Sequence, residues 1–415
     1  MAHEDFDVAV VGGGLAGGLA ALALAARGFR CAVVDARPRG ELLSDAYDGR
    51  TTAIAYASAR LFRRLGIWDD AAAGAGAIDH ILVSDGDIAP GAAARASSLS
   101  LHFEGAQSAA DGPLGWIFEN RAMRRAIYAR LADDPNVALI DGARRTGAAF
   151  ADPRATVDLD DGRRLAARLV VAADGRGSPL RAEAGIKTTE WGYGQTAIVA
   201  TVALERPHGG VAHELFLPSG PFAILPLARN RASIVWTEKS DAAPAYLALS
   251  DEGFRAALAE RIGDRYGAVA LDGPRETFPV RFTLAHSLVA PRLALVGDAA
   301  RAIHPIAGQG LNLGVKDVAA LTDAVADARG VGLDIGALSS LGPYERWRRF
   351  DGTALALGTD FCNRLFSNDV APIRLARRLG LGAVNAVDPL RRFFMREAGA
   401  DSGDLPSLMR PIGAN

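Results

Sequence analysis

The stretch "VAVVGGGLAGGLAALALAARGFRCAVVDAR", residues 8–37, decides the fold class of this chain. Four apolar residues, Val8–Val11, precede three glycines, and helix-forming Leu and Ala residues then continue to Arg27. A second apolar run, Arg30–Asp35, ends on an acidic residue. This order of strand, glycine turn, helix and strand predicts a βαβ unit, which opens a parallel α/β sheet.

The glycine spacing within this unit indicates a nucleotide site. Gly12, Gly14 and Gly17 form a Gly-x-Gly-x-x-Gly motif, and Asp35 closes the next strand eighteen residues after Gly17. Gly12 permits the tight turn, Gly14 lets the backbone approach a pyrophosphate, and Gly17 lets helix and strand pack closely. The helix N-terminus attracts phosphate, and an acid such as Asp35 accepts hydrogen bonds from a ribose. We predict an adenine dinucleotide here, although the motif does not distinguish NAD from FAD.

Composition excludes several other classes. With 415 residues and 49% hydrophobic residues the chain is long enough for two domains, and a net charge of −2 gives no general attraction to nucleic acid. Two cysteines cannot build a disulfide framework, and no Cys-x-x-Cys or His-Glu-x-x-His spacing predicts a metal site. The uncharged run at 8–26 has the length of a membrane span, but its central glycines favour a buried strand, turn and helix. These features favour the cytosol.

The rest of the chain changes in character. Asp161-Gly162 predicts a two-residue hairpin turn, strand-like runs follow one another from Thr196 to Glu238, and a helix is expected over Glu252–Tyr266. This predicts an antiparallel sheet inserted into the α/β unit. We expect a discontinuous nucleotide-binding domain at 1–75, 102–182 and 278–363, a substrate domain at 76–101 and 183–277, and a C-terminal helical region at 364–415.

A second motif, "GDAARAIHPIAGQGLNLGVKDVAAL" at 297–321, follows a short apolar strand. Asp298 is placed to bind a polyol through its carboxylate, and Pro305 stiffens a turn beside a flat ring. Gly308, Gln309 and Gly310 allow close backbone approach. The helix that begins near Leu311 directs its positive end at whatever lies before it, which stabilises negative charge on a reduced isoalloxazine. The two motifs are therefore predicted to hold opposite ends of one FAD.

The order of these motifs resembles the class A flavoprotein monooxygenases, and among them the hydroxylases of ubiquinone biosynthesis. The matching stretches cover nearly the whole chain: residues 10–18, "DGRTTAIAYAS" from Asp48, "GWIFENRAMRRAI" from Gly115, "VVAADGRGSPLR" from Val170, "PFAILPL" from Pro221, the motif at 297–321, "YERWRR" from Tyr344 and "RLFS" from Arg364. Two residues depart from the family pattern: Asp35 stands where Glu is commoner, and Arg301 where His is common. We assign no role to Arg301.

The resemblance implies roles for individual residues. The FAD-binding set would be Gly12, Gly14, Gly17, Asp35, Arg37, Arg121, Asp174, Asp298, Gly308, Gln309, Gly310, Leu311 and Asn312. Arg121 would contact the diphosphate or ribityl chain, and Asp174 would lie where FAD meets the nicotinamide donor. Arg50, His304 and Pro305 are the candidate catalytic residues, without a general base. For Arg50, Arg121, Asp174 and His304 the residues alone leave a purely structural role open.

The implied reaction is aromatic hydroxylation. No second Gly-x-Gly-x-x-Gly lies between a strand and a helix, so NAD(P)H would bind transiently on the FAD domain. Reduced FAD and O2 would form a C4a-hydroperoxide that transfers oxygen to the ring of a prenylated phenol in ubiquinone biosynthesis. Three alternatives stay open: hydroxylation of another aromatic compound, prenyl reduction by the same fold, and a non-catalytic flavin scaffold in a quinone-synthesis complex.

Two further segments allow two interpretations each. Phe216, Leu217, Phe222, Ile224, Leu225 and Trp236 fit a pocket for a prenyl chain and equally an ordinary sheet core. Residues 370–396 carry six arginines and one acid, Asp388, a local charge of +5. They fit a basic amphipathic surface on anionic lipid, which would place a cytoplasmic protein peripherally on the inner membrane. They fit equally well helices docked on the catalytic domain.

Overall fold

The predicted βαβ unit is present in the structure, a computed structural model that describes residues 3–88, 93–105, 112–368 and 370–411. Strand β1 (His3–Val11), helix α1 (Leu15–Ala25) and strand β2 (Cys31–Asp35) follow one another, and β1 pairs with β2 in parallel with Val8 opposite Cys31. Both strands and the inner residues of α1 are buried in the main hydrophobic core. The sequence prediction for this unit is confirmed.

The first sheet extends this unit on both sides. Its other strands are β8 (Val137–Asp141), β9 (Arg145–Phe150), β10 (Ala155–Leu159), β11 (Arg164–Ala172), β18 (Val289–Ala290) and β19 (Leu293–Leu295). The order is β18-β19-β11-β1-β2-β8, with β9 and β10 added next to β11. Because β19, β11, β1, β2 and β8 run parallel, their carboxyl ends meet at one edge, where ligands bind in such sheets.

The second sheet is mostly antiparallel and contains the predicted insertion. Its strands are β5 (His80–Asp87), β6 (Arg95–Glu104), β12 (Thr188–Leu204), β13 (Val211–Leu217), β14 (Gly220–Leu227), β15 (Arg231–Lys239), β16 (Val269–Leu271), β17 (Glu276–Ala285) and β20 (Arg301–Ala302). The order is β20-β17-β12-β15-β14-β13-β5-β6, with β16 beside β12. The predicted boundary at 277 cuts through β17, which pairs along β12. Residues 89–92 lie outside the described residues.

A third, small sheet and the helices complete the core. The small sheet contains β3 (Thr51–Ala55), β4 (Gly76–Ile78) and β7 (Gly115–Glu119), in the order β3-β7-β4. The helices up to residue 366 are α2 (Arg39–Leu42), α3 (Tyr56–Arg64), α4 (Trp68–Ala72), α5 (Asn120–Asp133), α6 (Pro179–Glu183), α7 (Ala243–Leu247), α8 (Asp251–Ile262), α9 (Gln309–Gly330) and α10 (Leu338–Phe366). Helix α9 packs against α1 and α10, which joins the two motifs in one body.

Two local predictions need correction. The hairpin between β10 and β11 exists, but its loop has three residues, 160–162, because Leu159 N–H donates to Arg163 O across it. Gly162 ends this loop at φ +86°, the left-handed position that a three-residue hairpin needs. The helix predicted over Glu252–Tyr266 ends at Ile262 and continues only as a 3-10 turn, Gly263–Tyr266.

Three of the six C-terminal arginines, those of the first C-terminal helix, dock on the second sheet. Helices α11 (Ala371–Ala386) and α12 (Asp388–Ala398) follow α10, and α11 packs across β6. Arg377 Nε lies 2.6 Å from Asp85 Oδ1 with both side chains buried, and Arg374 Nη1 lies 2.6 Å from Asp87 Oδ1. For α11, these ion pairs favour the second interpretation, a helix docked on the catalytic domain. Among the described residues, no helix combines the length and apolar character needed to cross a membrane.

Candidate functional site

One cavity of about 570 Å³ joins the nucleotide motif, the second motif and the second sheet. Its walls contain Gly14 of the first motif, Asp298 and Gly310 of the second, and strand β3. The remaining wall is the inner face of the second sheet, including Val83 and Phe216. Cavities of this size are typical of cofactor and substrate sites.

Gly12 and Gly17 have the turn and packing geometry predicted for them, and Gly14 leaves the open space that a pyrophosphate would need. Gly12 has φ +101°, and a Cβ there would lie 2.3 Å from Ala173 O. A Cβ on Gly17 would lie 1.8 Å from Gly12 O, so only glycine lets α1 pack on β1. Gly14 caps α1 without a side-chain hydrogen bond, and a Cβ there would meet nothing within 4 Å. A side chain at Gly14 would therefore extend into the cavity that Gly14 lines.

Asp35 holds the glycine loop. Its Oδ2 accepts a hydrogen bond of 2.8 Å from Gly13 N–H, and its Oδ1 accepts one of 2.9 Å from Arg37 N–H. The buried Tyr128 hydroxyl donates to Gly13 O at 2.9 Å from the other side. Burial and the nearby Asp35 raise the pKa of Tyr128, so it stays a donor. Arg37 lines the cavity, whereas Asp35 lies behind the loop.

Asp298 lies in the cavity wall, directly after β19. It sits in a 3-10 turn, Gly297–Ala299, and its side chain is 49% exposed, toward the cavity. This recessed position raises the pKa of Asp298, while Arg176 and Arg50 lower it. Arg176 Nη2 lies 3.9 Å from Asp298 Oδ2, and both arginines line the same cavity. The carboxylate is thus open to a hydroxyl-rich ligand.

A buried ion network supports this turn and gives Arg301 a role. Asp317 of α9 accepts a hydrogen bond of 3.3 Å from Gly297 N–H. Its other oxygen accepts bonds of 2.9 Å from Arg301 Nη1 and 2.9 Å from Arg348 Nε. The Asp317 and Arg348 side chains are 0% exposed, and that of Arg301 is 1% exposed. Arg301 therefore anchors the turn from behind.

The start of α9 is fitted against β3. Gly308 has φ +61°, and a Cβ there would lie 2.7 Å from the Cβ of Ala53. Asn312 accepts a bond from Ala55 N–H and donates one to Ala53 O, both of 2.9 Å, which clamps α9 to β3. No side chain caps α9, and Gly310 has open space at its Cβ position.

Three of the four remaining predicted residues of the second motif line the cavity. Leu311 and Gln309 line it, and Gln309 donates from Nε2 to Ala398 O at 3.0 Å. Pro305 lines it as predicted, but His304 does not. His304 is buried behind the wall, where its Nδ1 accepts from Ile306 N–H and its ring meets Tyr193 edge-on at 5.3 Å. Burial lowers the pKa of His304 to about 3, which keeps its imidazole neutral at pH 7.

Two other predicted contacts are displaced from the cavity. The Arg121 guanidinium donates to Glu119 and to Asp45 O and stacks over Tyr47, so it does not line the wall. Arg124, one turn further along α5, lines the cavity instead. Helical periodicity in the sequence did not show which of the two faces inward.

Asp174 forms part of the turn behind the cavity wall. Its Oδ2 accepts a bond of 3.2 Å from Leu180 N–H in α6, while its Oδ1 is buried without a partner among the described residues. Burial raises the pKa of Asp174, and hydrogen bonds from Ser178 and Leu180 oppose this. Its neighbours Gly175 and Arg176 line the cavity in its place. Arg176 was missed, although it directly follows the Asp-Gly pair.

The apolar residues that were compatible with both a prenyl pocket and a sheet core lie on opposite faces of the second sheet, because side chains alternate along each strand. Phe216 and Leu225 lie on the inner face of the second sheet and line the cavity. Leu217, Phe222, Ile224 and Trp236 instead belong to a second core together with Phe254 and Leu258 of α8. Glu214, on the inner face beside Phe216, also lines the cavity and was missed by the sequence prediction, which treated β13 as apolar.

One cluster of side chains in the described part of the chain offers possible metal ligands, where the sequence predicted none. His102 Nε2 lies 3.3 Å from His80 Nδ1, and His102 Nδ1 lies 3.6 Å from Glu104 Oε1. His80 comes from β5, and His102 and Glu104 come from β6, so strand pairing rather than a short sequence motif brings the three residues together. None of the three residues lines the cavity.

The cavity fits FAD. Gly14 and Gly310 leave room for a ligand at both motifs, two uncapped helix N-termini open there, and the arginines supply positive charge for a diphosphate. When bound, FAD supplies the hydride and oxygen chemistry that no protein side chain performs. Arg37, Arg50 and Arg124 would face the diphosphate, and Asp298 the ribityl hydroxyls.

Comparisons with known proteins agree with this site. Residues 5–330 match the family model described as "FAD binding domain". The chain is 48% identical over 414 residues to the ubiquinone hydroxylase UbiL of Rhodospirillum rubrum, covering 99% of this chain and 94% of that protein. It is 33% identical to the 3-demethoxyubiquinol 3-hydroxylase of Escherichia coli, covering 96% of this chain and 99% of that protein. The chain belongs to the ubiquinone-biosynthesis hydroxylase family of FAD-dependent monooxygenases.

Solved structures add the fold. The p-nitrophenol 4-monooxygenase PnpA of Pseudomonas putida superimposes with a TM-score of 0.77 at 20% identity, covering 98% of this chain and all of that one. The predicted fold class, an α/β FAD-binding domain with an inserted β-sheet and C-terminal helices, is therefore confirmed. So are the cofactor, with NAD(P)H as the co-substrate typical of the family, and the class of enzyme.

Proposed function

We propose that this hydroxylase inserts one oxygen atom from O2 into the aromatic ring of a prenylated phenol during ubiquinone biosynthesis, with electrons from NAD(P)H. The observation that carries the proposal is the continuous cavity. The cofactor motifs form one part of its wall, and the apolar inner face of the second sheet forms another. A flat ring beside Pro305 would continue into a prenyl chain along Ile81, Val83 and Phe103. The names of the two relatives, both ubiquinone-pathway hydroxylases, support the substrate class.

The protein's own residues would then position reactants and exclude water. The apolar wall removes water from the ring, which protects a reactive oxygen donor from hydrolysis. The uncapped N-terminus of α9 would supply partial positive charge to stabilise the negative charge of a reduced flavin bound in the cavity. Arg50 lines the cavity, and its guanidinium packs over the ring of Phe278 in the second sheet at 5.3 Å.

The experiment that tests this proposal is mass spectrometry of the prenylated phenol and quinone pool in cells that lack the protein. One under-hydroxylated intermediate should accumulate, and its structure would identify the ring carbon. An unchanged ubiquinone pool, in cells without a redundant hydroxylase, would contradict the proposed substrate. Such a result would favour another aromatic substrate. Reduction of a prenyl chain without O2 consumption would indicate the reductase alternative.

The scaffold alternative is tested by Asp298→Ala. Because Asp298 lies in the cavity wall and makes no structural hydrogen bond to the described residues, its removal should reduce FAD binding without unfolding the chain. We expect quinone synthesis to stop with it. Persistent synthesis by an FAD-free variant would instead support a non-catalytic role in a quinone-synthesis complex.

We further propose peripheral membrane contact through α12 rather than α11. Leu390, Phe393 and Phe394 are 46%, 56% and 42% exposed on this amphipathic helix, beside Arg391 and Arg392. An apolar face with arginines at its border suits the surface of an anionic bilayer. This would bring the cavity to a lipid-soluble substrate.

Sedimentation with anionic phospholipid vesicles tests this contact. Phe393→Ser with Phe394→Ser should abolish sedimentation. Val331→Ser, at a position 75% exposed after α9, serves as the matched control and should not. Equal sedimentation of both variants would contradict the membrane contact. Loss of a protein complex from cells carrying the double variant, with vesicle binding intact, would indicate a protein partner.

A further inference from the structure

Glu214 is a single carboxyl group within the apolar wall of the cavity. On β13 it lies between Ala212 and Phe216 on the inner face, and all three line the cavity. Its partner on β5 is Val83 and its partner on β14 is Ala223, which also line the cavity. The strand pairing therefore fixes the carboxyl among apolar neighbours, on the face that meets the substrate space.

The Glu214 carboxyl has no hydrogen-bond or ion-pair partner among the described residues. Burial alone raises its pKa to about 8. The Glu214 side chain is partly exposed, toward the cavity, and carboxyl groups in clefts whose pKa is perturbed are enriched at functional sites. A carboxyl group without a partner in a ligand cavity indicates that the ligand supplies its partner.

No charged group among the described residues pairs with Glu214. His213 lies on the outer face of β13, where it bonds Tyr266 and Arg265, and burial lowers its pKa to about 3. Asp85 on β5 is paired with Arg377. The charged residues of the cofactor part of the cavity are Arg37, Arg50, Arg124, Arg176 and Asp298. None of these groups changes the pKa of Glu214, for which burial is the single cause.

We propose that Glu214 is the catalytic base of this hydroxylase, bound to the ring hydroxyl of the phenol; this rests on the proposed function. The phenol O–H bond breaks, its proton moves to a Glu214 carboxylate oxygen, and the electron pair left on the phenol oxygen enriches the ring carbon that receives oxygen. One atom of O2 forms the new ring C–O bond, and the proton lost from the C–H bond of that carbon moves to the phenol oxygen as the ring regains aromaticity. The other oxygen atom leaves as water, with two electrons from NAD(P)H and protons from solvent, and Glu214 releases its proton to solvent. A base with a pKa closer to that of a phenol, about 10, is better matched than an ordinary carboxylate.

The test compares wild type and Glu214→Gln as purified FAD-loaded enzymes with a short-chain prenylated phenol, NAD(P)H and O2. Glutamine keeps the shape and removes the base. We expect product formation to fall about 100-fold or more, the usual contribution of a general base. FAD content should be unchanged and O2 should be reduced to H2O2 instead. Glu252→Gln, an exposed glutamate of α8, is the matched control and should behave as wild type.

The pH profile separates a base from a merely structural group. Only the carboxylate accepts a proton, so wild-type product formation should rise as pH rises through about 8 and then level off. Glu214→Gln should lack this rise. The methyl ether of the same phenol, which has no proton to transfer, should react equally slowly with both enzymes. Product formation by Glu214→Asp should still rise with pH, at a lower overall rate. This variant keeps the carboxyl group, so it distinguishes loss of the base from a packing defect in the glutamine variant.

Product formation by Glu214→Gln within about threefold of wild type, with the same pH profile, would overturn the proposal, since base removal costs far more. An FAD-loaded Glu214→Asp variant without the pH-dependent rise would also overturn it. If wild type hydroxylates only phenols without a prenyl chain, the proposed substrate class fails. The Glu214 variants are then compared with those phenols as substrates. Failure of the proposed substrate class is thereby distinguished from failure of the proposed role of Glu214.

Discussion

Replacement of Gly14 by valine should separate cofactor binding from folding. Gly14 has φ −66° and a Cβ there would meet nothing within 4 Å, so valine causes no clash in the chain itself. Its methyl groups would occupy the cavity in front of the α1 N-terminus. A phosphate held there would lose about two charge-assisted hydrogen bonds of about 1.5–3 kcal/mol each, roughly 3–6 kcal/mol in total. FAD should therefore bind at least about 100-fold more weakly.

Titration by flavin fluorescence measures this affinity, and thermal unfolding without FAD measures the fold. The FAD-free Gly14→Val protein should unfold at the wild-type temperature. Gly74→Val, at an exposed glycine with equal space around its Cβ position, is the matched control and should keep wild-type FAD affinity. Gly17→Ala should differ from both, because its Cβ would lie 1.8 Å from Gly12 O and so destabilise the fold itself. Wild-type FAD affinity in Gly14→Val would refute the placement of the diphosphate.

Three further predictions follow from the contacts. Arg124→Ala should weaken FAD binding more than Arg121→Ala in the same titration, because only Arg124 lines the cavity; the reverse order would restore the role assigned from sequence. Asp317→Ala leaves two buried arginines without their shared carboxylate and should lower the free energy of unfolding in urea by about 3–5 kcal/mol. Glu183→Ala, at a partly exposed pair, should cost under about 1 kcal/mol. His304 has a folded pKa of about 3 against 6.5, so it favours the unfolded state as pH falls below 6.5. Below pH 6.5, the free energy of unfolding in urea should fall less steeply with decreasing pH in His304→Phe than in wild type, by up to about 1.4 kcal/mol per pH unit. The same pH dependence in both proteins would contradict a buried neutral imidazole.

The nucleotide end of the site was predictable from sequence because its chemistry is local. Gly12 and Gly17 are fixed by turn geometry and close packing, and Gly14 keeps the space before α1 open; a short spacing shows all three. The flavin end was predictable for the same reason at Asp298 and Gly308, where a strand end, a turn and a helix start are contiguous. The FAD contacts themselves remain proposals, supported by the cavity these residues share.

Residues whose roles depend on which way a side chain faces were not predictable. Arg121 and Arg124 lie one turn apart on α5, and only the packing of α5 against its neighbouring helices and strands determines that Arg124 lines the cavity. His304 stands in the most diagnostic motif but faces Tyr193 rather than the cavity. Glu214 became visible only through strand register, which places it opposite Val83. Asp317 forms ion pairs with Arg301 and Arg348, which lie far from it along the chain. The sequence therefore showed no sign of this network.

The most direct test of the account is one turnover experiment with the purified FAD-loaded protein. A short-chain prenylated phenol, NAD(P)H and O2 enriched in the heavy oxygen isotope would be combined, and the products analysed by mass spectrometry. The account predicts a ring-hydroxylated product that carries one heavy oxygen atom, with NAD(P)H consumed in equal amount. NAD(P)H oxidation that yields only H2O2 with every phenol offered, or a product without heavy oxygen, would contradict it.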